Sequence, residues 1–407
     1  MTARTILCAA LACGFLVAGE TAAEWIRQGR ALKARGDAAA ALHAFEKAAA
    51  LDPKSAEVED EIGFLLAATN RQPEAIPHFE KAIQLDVTFA PAHYHLGVAY
   101  WLAKNPVRSI PELAAAVRLR PADADFHYRL GSAFNAVGEY QDAARELAES
   151  ARLAPSHAAV WNELGLARQK SGDFAAAVDA YRRAVELEPA NLEARNNLGF
   201  ALINTRQADA ALAQFRKILE TDPANVMALV NIGFTYLQRA ELDKAVAQFR
   251  AIVADHDDLA IAHYDLGLAL KQKDLLDPAK SELKRAIELD PGLAEAHYTL
   301  GVVCWQDADF AATIEHMEAA TKLRPDYAEA YFMLGTALKQ TGELDRAIAA
   351  LKEAIRLNPA DPGPFNTLGQ ALRQKGDVAG SQAAFAEGAR VKAGKVAQQA
   401  EMLRGKK

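Results

Sequence analysis

Residues 158–191 read AAVWNELGLARQKSGDFAAAVDAYRRAVELEPAN. Trp161, Leu164 and Gly165 recur at the spacing of one helical face, and Ala177 and Tyr181, four apart, share a second face. Between the two runs, Ser171-Gly172-Asp173 is a turn signal. Pro189 cannot extend the second run and is well placed to open the helix that follows. The stretch reads as two helices joined by a tight turn.

Working outward, the same glycine returns at Gly29, Gly63, Gly97, Gly131, Gly165, Gly199, Gly233, Gly267, Gly301, Gly335 and Gly369, every interval being 34. Eleven copies without an insertion or deletion mark a repeat array, in which each repeat touches only its neighbours. With this glycine as position 8, repeats begin at residues 22, 56, 90, 124, 158, 192, 226, 260, 294, 328 and 362. Position 20 is small in every repeat, from Ala41 to Ser381, and position 24 is large and apolar or aromatic, as in Phe45, Tyr181 and Phe249. A glycine inside a helix costs about 1 kcal/mol relative to alanine, so its recurrence requires something that needs the missing side chain. The small residue at position 20 is the expected partner, with the position-24 ring filling the groove alongside.

Trp161, Leu164, Gly165, Ala177, Tyr181 and Pro189 resemble the pattern of the tetratricopeptide repeat (TPR) family, and the resemblance covers residues 22–395. It implies an all-α fold: a right-handed superhelical solenoid of eleven 34-residue helix–turn–helix repeats, followed by a capping helix and basic tail over 396–407. Residues 1–23 read as a signal peptide, with Arg4 before the apolar run Ile6–Gly19 and cleavage after 19 or 23. Leu11-Ala12-Cys13-Gly14 offers a second reading, a lipoprotein site that would tether the chain to a membrane through Cys13. The expected setting is therefore extracytoplasmic, periplasmic or secreted, with a membrane-tethered lipoprotein as the alternative.

The 407 residues carry a net charge of −7 and 51% hydrophobic residues, enough apolar matter for a core and no basic stripe for nucleic acid. Phosphate-cradling loops, zinc-protease signatures and nucleophile elbows are missing from the sequence, and the repeats use the chain that a catalytic domain would need. The expectation is a non-enzyme without cofactor or metal. His93, His127, His263 and His297 all stand at position 4, where the family prefers Trp, and read as packing substitutes. Cys304, at position 11, reads as core.

Positions 2, 5, 9 and 12 form a separate stripe, which in the family lines the inner, concave face. Here it is apolar, and the partner-binding candidates are Tyr94, Trp101, Tyr128, Phe200, Phe234, Leu237, Tyr264, Leu268, Tyr298, Trp305 and Phe332. Two readings compete: consensus packing between repeats, or an apolar trough over repeats 6–8 that accepts a helix or extended segment of another protein. Asn197 and Asn231 stand at position 6, where one sugar-transferase family carries an asparagine ladder that grips peptide backbone; here the ladder is broken. The Lys and Asn pairing of the chaperone-binding subfamily, at positions 5 and 9, occurs in no repeat. The expected function is a protein–protein interaction scaffold of the cell envelope or secreted space, the alternative being a structural subunit of a polysaccharide or protein export complex.

Overall fold

The structure, a computed structural model, describes residues 21–404. The expected leader and Cys13 lie outside the described residues, except that Thr21 caps the first helix and Ala22 and Ala23 begin it. Among the described residues there are 22 helices and no strand. First helices open at Ala22, Ala56, Ala90, Ala124, Ala158, Leu192, Val226, Ala260, Ala294, Ala328 and Pro362, so the 34-residue period is a period of the backbone. No described helix is long and apolar enough to cross a membrane.

The chain divides into two compact units, 1–201 and 202–407, the division falling within the first helix of repeat 6, Leu192–Asn204. Within the N-terminal unit, each first helix of repeats 1–5 packs on the second helix of its own repeat, and in repeats 1–4 that second helix packs on the first helix of the next. The same alternation runs through repeats 7–11 of the C-terminal unit. The last helix, Val378–Arg404, is continuous over 27 residues. The separate capping helix expected over 396–407 is therefore an extension of the last repeat. Position 32 of that repeat is Ala393 where most others have Pro, and alanine interrupts nothing.

The glycine column is explained by position 24 more than by position 20. A Cβ on Gly165 would stand 2.5 Å from the Tyr181 ring, one on Gly63 2.6 Å from Phe79, and one on Gly97 2.7 Å from Leu113. These large side chains are 0–1% exposed and occupy the hollow the glycine leaves. Position 20 lies behind them: Ser109 Oγ donates to the Gly97 carbonyl at 2.7 Å. The position-20 backbone also comes near, the Ala347 and Ala279 carbonyls lying 3.1 and 3.3 Å from a Cβ on Gly335 and Gly267, but the position-24 side chain is the tighter contact.

Position 4 ties consecutive repeats. The Nε2 of His93, His127 and His263 meets the carbonyls of Val87, Pro121 and Asp257 at 3.0, 3.0 and 3.2 Å, while Nδ1 pairs with Glu112, Glu146 and Glu282 at 2.7–2.8 Å. Trp161 Nε1 donates to the Pro155 carbonyl six residues back in the same way, so imidazole does replace indole. Repeat 2 swaps the pair, with Glu59 at position 4 and His78 opposite.

Repeat 9 breaks the pattern. His297 faces His316 across 3.3 Å. Burial holds both imidazoles below their usual range, and for His316 the charge of His297 adds to this. A depressed histidine supports the fold at neutral pH and loses that support as the pH falls below about 6.5. His316→Glu rebuilds the pair seen in repeats 3, 4 and 8 and is expected to gain about 1 kcal/mol at neutral pH. Urea denaturation of both chains checks this, and a loss of stability would contradict it. Cys304 is 5% exposed and its thiol is raised by burial, the state of a core residue.

Candidate functional site

The stripe of positions 2, 5, 9 and 12 is built on first helices whose other sides are committed to packing. What organises it is a contact between columns. His95 Nδ1, at position 6, hydrogen-bonds Asp60 Oδ1, at position 5 of the repeat before, at 2.8 Å; Asn197 Nδ2 donates to Asn162 Oδ1 at 3.3 Å. Both pairs are separated by 35 residues. Burial raises the Tyr94 and Tyr264 hydroxyls, and Arg129 and Thr299, at the same 35-residue offset, pull them back down. Position 5 of one repeat and position 6 of the next thus form rungs across adjacent first helices.

In the N-terminal unit a cavity of about 300 Å³ opens beside the first rung, lined by Phe64, Ala67, Ala68, Phe79, Tyr94, His95, Val98, Ala99 and Leu102. Leu102 is 59% exposed at its lip. The His95 ring lies 5.4 and 5.6 Å from the Phe64 and Phe79 rings, and Lys33 Nζ sits 4.0 Å above Phe64. Sequence reading singled out Tyr94 here and missed Phe64 and His95. The signal that finds His95 is the 35-residue offset, which a search for 34-residue identities passes over, whereas Phe64 stands in the position-9 column of the stripe itself.

Tyr94 stacks on Phe126 at 4.6 Å, Tyr128 meets His157 at 5.3 Å, Tyr298 meets Tyr327 at 4.9 Å and Trp305 meets Phe310 at 5.0 Å. Each ring leans on the next element, so Tyr94, Trp101, Tyr128, Tyr264, Tyr298, Trp305 and Phe332 are half-buried. Asn197 and Phe200 are half-buried in the N-terminal unit, and Phe234 and Leu268 in the C-terminal unit. Leu237 requires correction as a binding candidate: at 8% exposure it belongs to the core with Phe249 and Leu266, because position 12 of this repeat turns inward against the second helix. Asn231, 9% exposed, is likewise enclosed.

The apolar surface that does reach solvent on this face of the C-terminal unit comes from position 2, where Met227 is 60% and Ile261 41% exposed. Among the described residues no three His, Cys, Asp or Glu side chains converge. The chemistry on offer is apolar contact and hydrogen bonding.

Models of the tetratricopeptide repeat match residues 108–158, 162–226 and 298–362, 63–103, and 25–55 and 260–293, together more than half of the chain. No curated protein matches significantly. Among solved structures, a tetratricopeptide repeat protein from Parabacteroides merdae is similar at TM-score 0.55 and 15% identity, over 61% of this chain and 98% of its own. Yeast Tom70 is similar at TM-score 0.51 and 13% identity, over 93% and 96%. MamA is 27% identical over 42% of this chain and 93% of its own, at TM-score 0.39.

Proposed function

We propose, because the chain belongs to the tetratricopeptide repeat family, that it is a protein–protein interaction scaffold whose partners lie along the stripe of positions 2, 5 and 9. One observation carries this reading: first helices that bury their other faces keep apolar side chains exposed on this one, with Met227 and Ile261 a repeat apart on the same column. Partly exposed aromatics beside them are the material of binding anchors. The leader-like residues 1–23 support an extracytoplasmic setting, which a reporter fusion to the first 30 or so residues tests by export or retention.

Met227→Asp combined with Ile261→Asp is expected to cut partner capture at least tenfold, as scored by crosslinking and mass spectrometry, and to move the melting temperature by no more than about 2 °C, since exposed positions contribute little to stability. Undiminished capture would reject the face. Phe234→Asp or Leu268→Asp is a poorer probe, because Leu268 also packs against the Phe249 core.

A further inference from the structure

Two rungs between position 5 and position 6 close by hydrogen bonds, Asp60 with His95 and Asn162 with Asn197, and two others set Tyr94 against Arg129 and Tyr264 against Thr299. In the C-terminal unit the rung at Asp265 is open and leaves a carboxylate without a partner. Asp265 stands at position 6 of repeat 8, and the residue 35 places before it is Val230, which has nothing to donate. Asp265 is 9% exposed, and no hydrogen bond or ion pair to it is found among the described residues. Lys271, half-buried on the same helix, makes no ion pair with it either. Around the open rung the same face is apolar, with Met227 and Ile261 exposed and Phe234, Tyr264 and Leu268 half-buried.

From this we infer that Asp265 is the receptor for a lysine or arginine side chain of a partner segment lying across repeats 7–9. An enclosed carboxylate without a partner is unfavourable, and a cation from outside supplies the missing half of the rung. The apolar surround suits the long stem of such a side chain, which packs on hydrophobic surface while its charged head reaches an acceptor. In the N-terminal unit, Asp60 with His95 and Asn162 with Asn197 satisfy one another, so those rungs have no such opening. The partner of this face is therefore a segment with a basic residue flanked by apolar ones. This rests on the proposal that the face binds protein.

The test uses the full chain, fluorescently labelled, on an array of random dodecapeptides, beside Asp265→Asn, which keeps shape and removes charge, and Asp265→Leu, each checked for helicity by circular dichroism. Peptides retained by the parent are expected to be enriched in Lys or Arg next to apolar residues. The best of them should lose at least tenfold in affinity to Asp265→Asn, and to the parent when its basic residue becomes norleucine. Retention without basic enrichment, or enrichment that persists in both variants, overturns the role of Asp265 and leaves the binding face standing. Retention of no peptide overturns both.

Discussion

Gly165→Ala is expected to lose about 2 kcal/mol of stability, whereas Gly301→Ala, the same change at the same position of another repeat, is expected to gain up to about 0.5 kcal/mol. Alanine is the better helix former by about 1 kcal/mol at both sites. The sign is decided by what the new methyl meets. At Gly165 it falls 2.5 Å from two ring atoms of Tyr181, a rigid side chain with no exposure whose hydroxyl is held by Gln169 at 3.2 Å. The ring cannot yield without moving the second helix, and overpacking of this kind costs about 1–3 kcal/mol beyond the gain in propensity. At Gly301 the nearest atom is the terminal methyl of Met317 at 2.7 Å, with the next, His316 Cβ, at 3.3 Å. A flexible thioether can swing aside. Urea denaturation followed by circular dichroism compares the two, and equal losses would show that the glycine is kept for backbone approach, not for the position-24 side chain.

Asp265→Leu is expected to raise stability at pH 8 by up to about 4 kcal/mol and to change it much less at pH 4. Burial pushes the Asp265 carboxyl from 3.8 up to about 7, so the folded chain holds a proton that the unfolded chain has released. Its contribution is complete below about pH 4 and is lost progressively as the pH rises to about 7. The His297–His316 pair acts in the opposite direction, weakening the fold below about pH 6.5. That pair is common to parent and variant, so the difference between them isolates Asp265. Denaturation midpoints measured from pH 4 to pH 8 decide the matter: parallel curves would mean that the carboxylate is solvated in the folded chain. A carboxylate that weakens the free protein at neutral pH fits the receptor role proposed for Asp265.

Much of this was legible beforehand. The helix boundaries follow from Gly165-type glycines, position-20 alanines and position-32 prolines, since each recurs in one column and local physical chemistry assigns it a role. The apolar stripe was also legible, as a list of residue types. Its division into core and surface was not, because Leu237 and Met227 look alike in sequence and differ only in which side of the helix meets its neighbour. The turns repeat the lesson. Position 15 takes a left-handed backbone in every repeat, at Gly36, Gly138, Gly172, Gly342 and Gly376, and equally at Asn70, Lys104, Arg206, Ala240, Asp274 and Ala308. Five glycines announce it. The other six adopt a conformation their side chains disfavour, held at Ala240, for instance, by the 2.9 Å bond from the amide of the next residue, Glu241, to the Tyr236 carbonyl.

By itself the sequence determined the period, the pairing of helices and the residues that each column offers, because these are properties of one column recurring at 34. Tertiary structure alone decided how closely the Tyr181 ring seats against Gly165, that His95 meets Asp60, and that Asp265 meets no one. Those contacts join different columns, at offsets of 16 and 35 residues, and such offsets depend on the angle and stagger at which neighbouring helices pack.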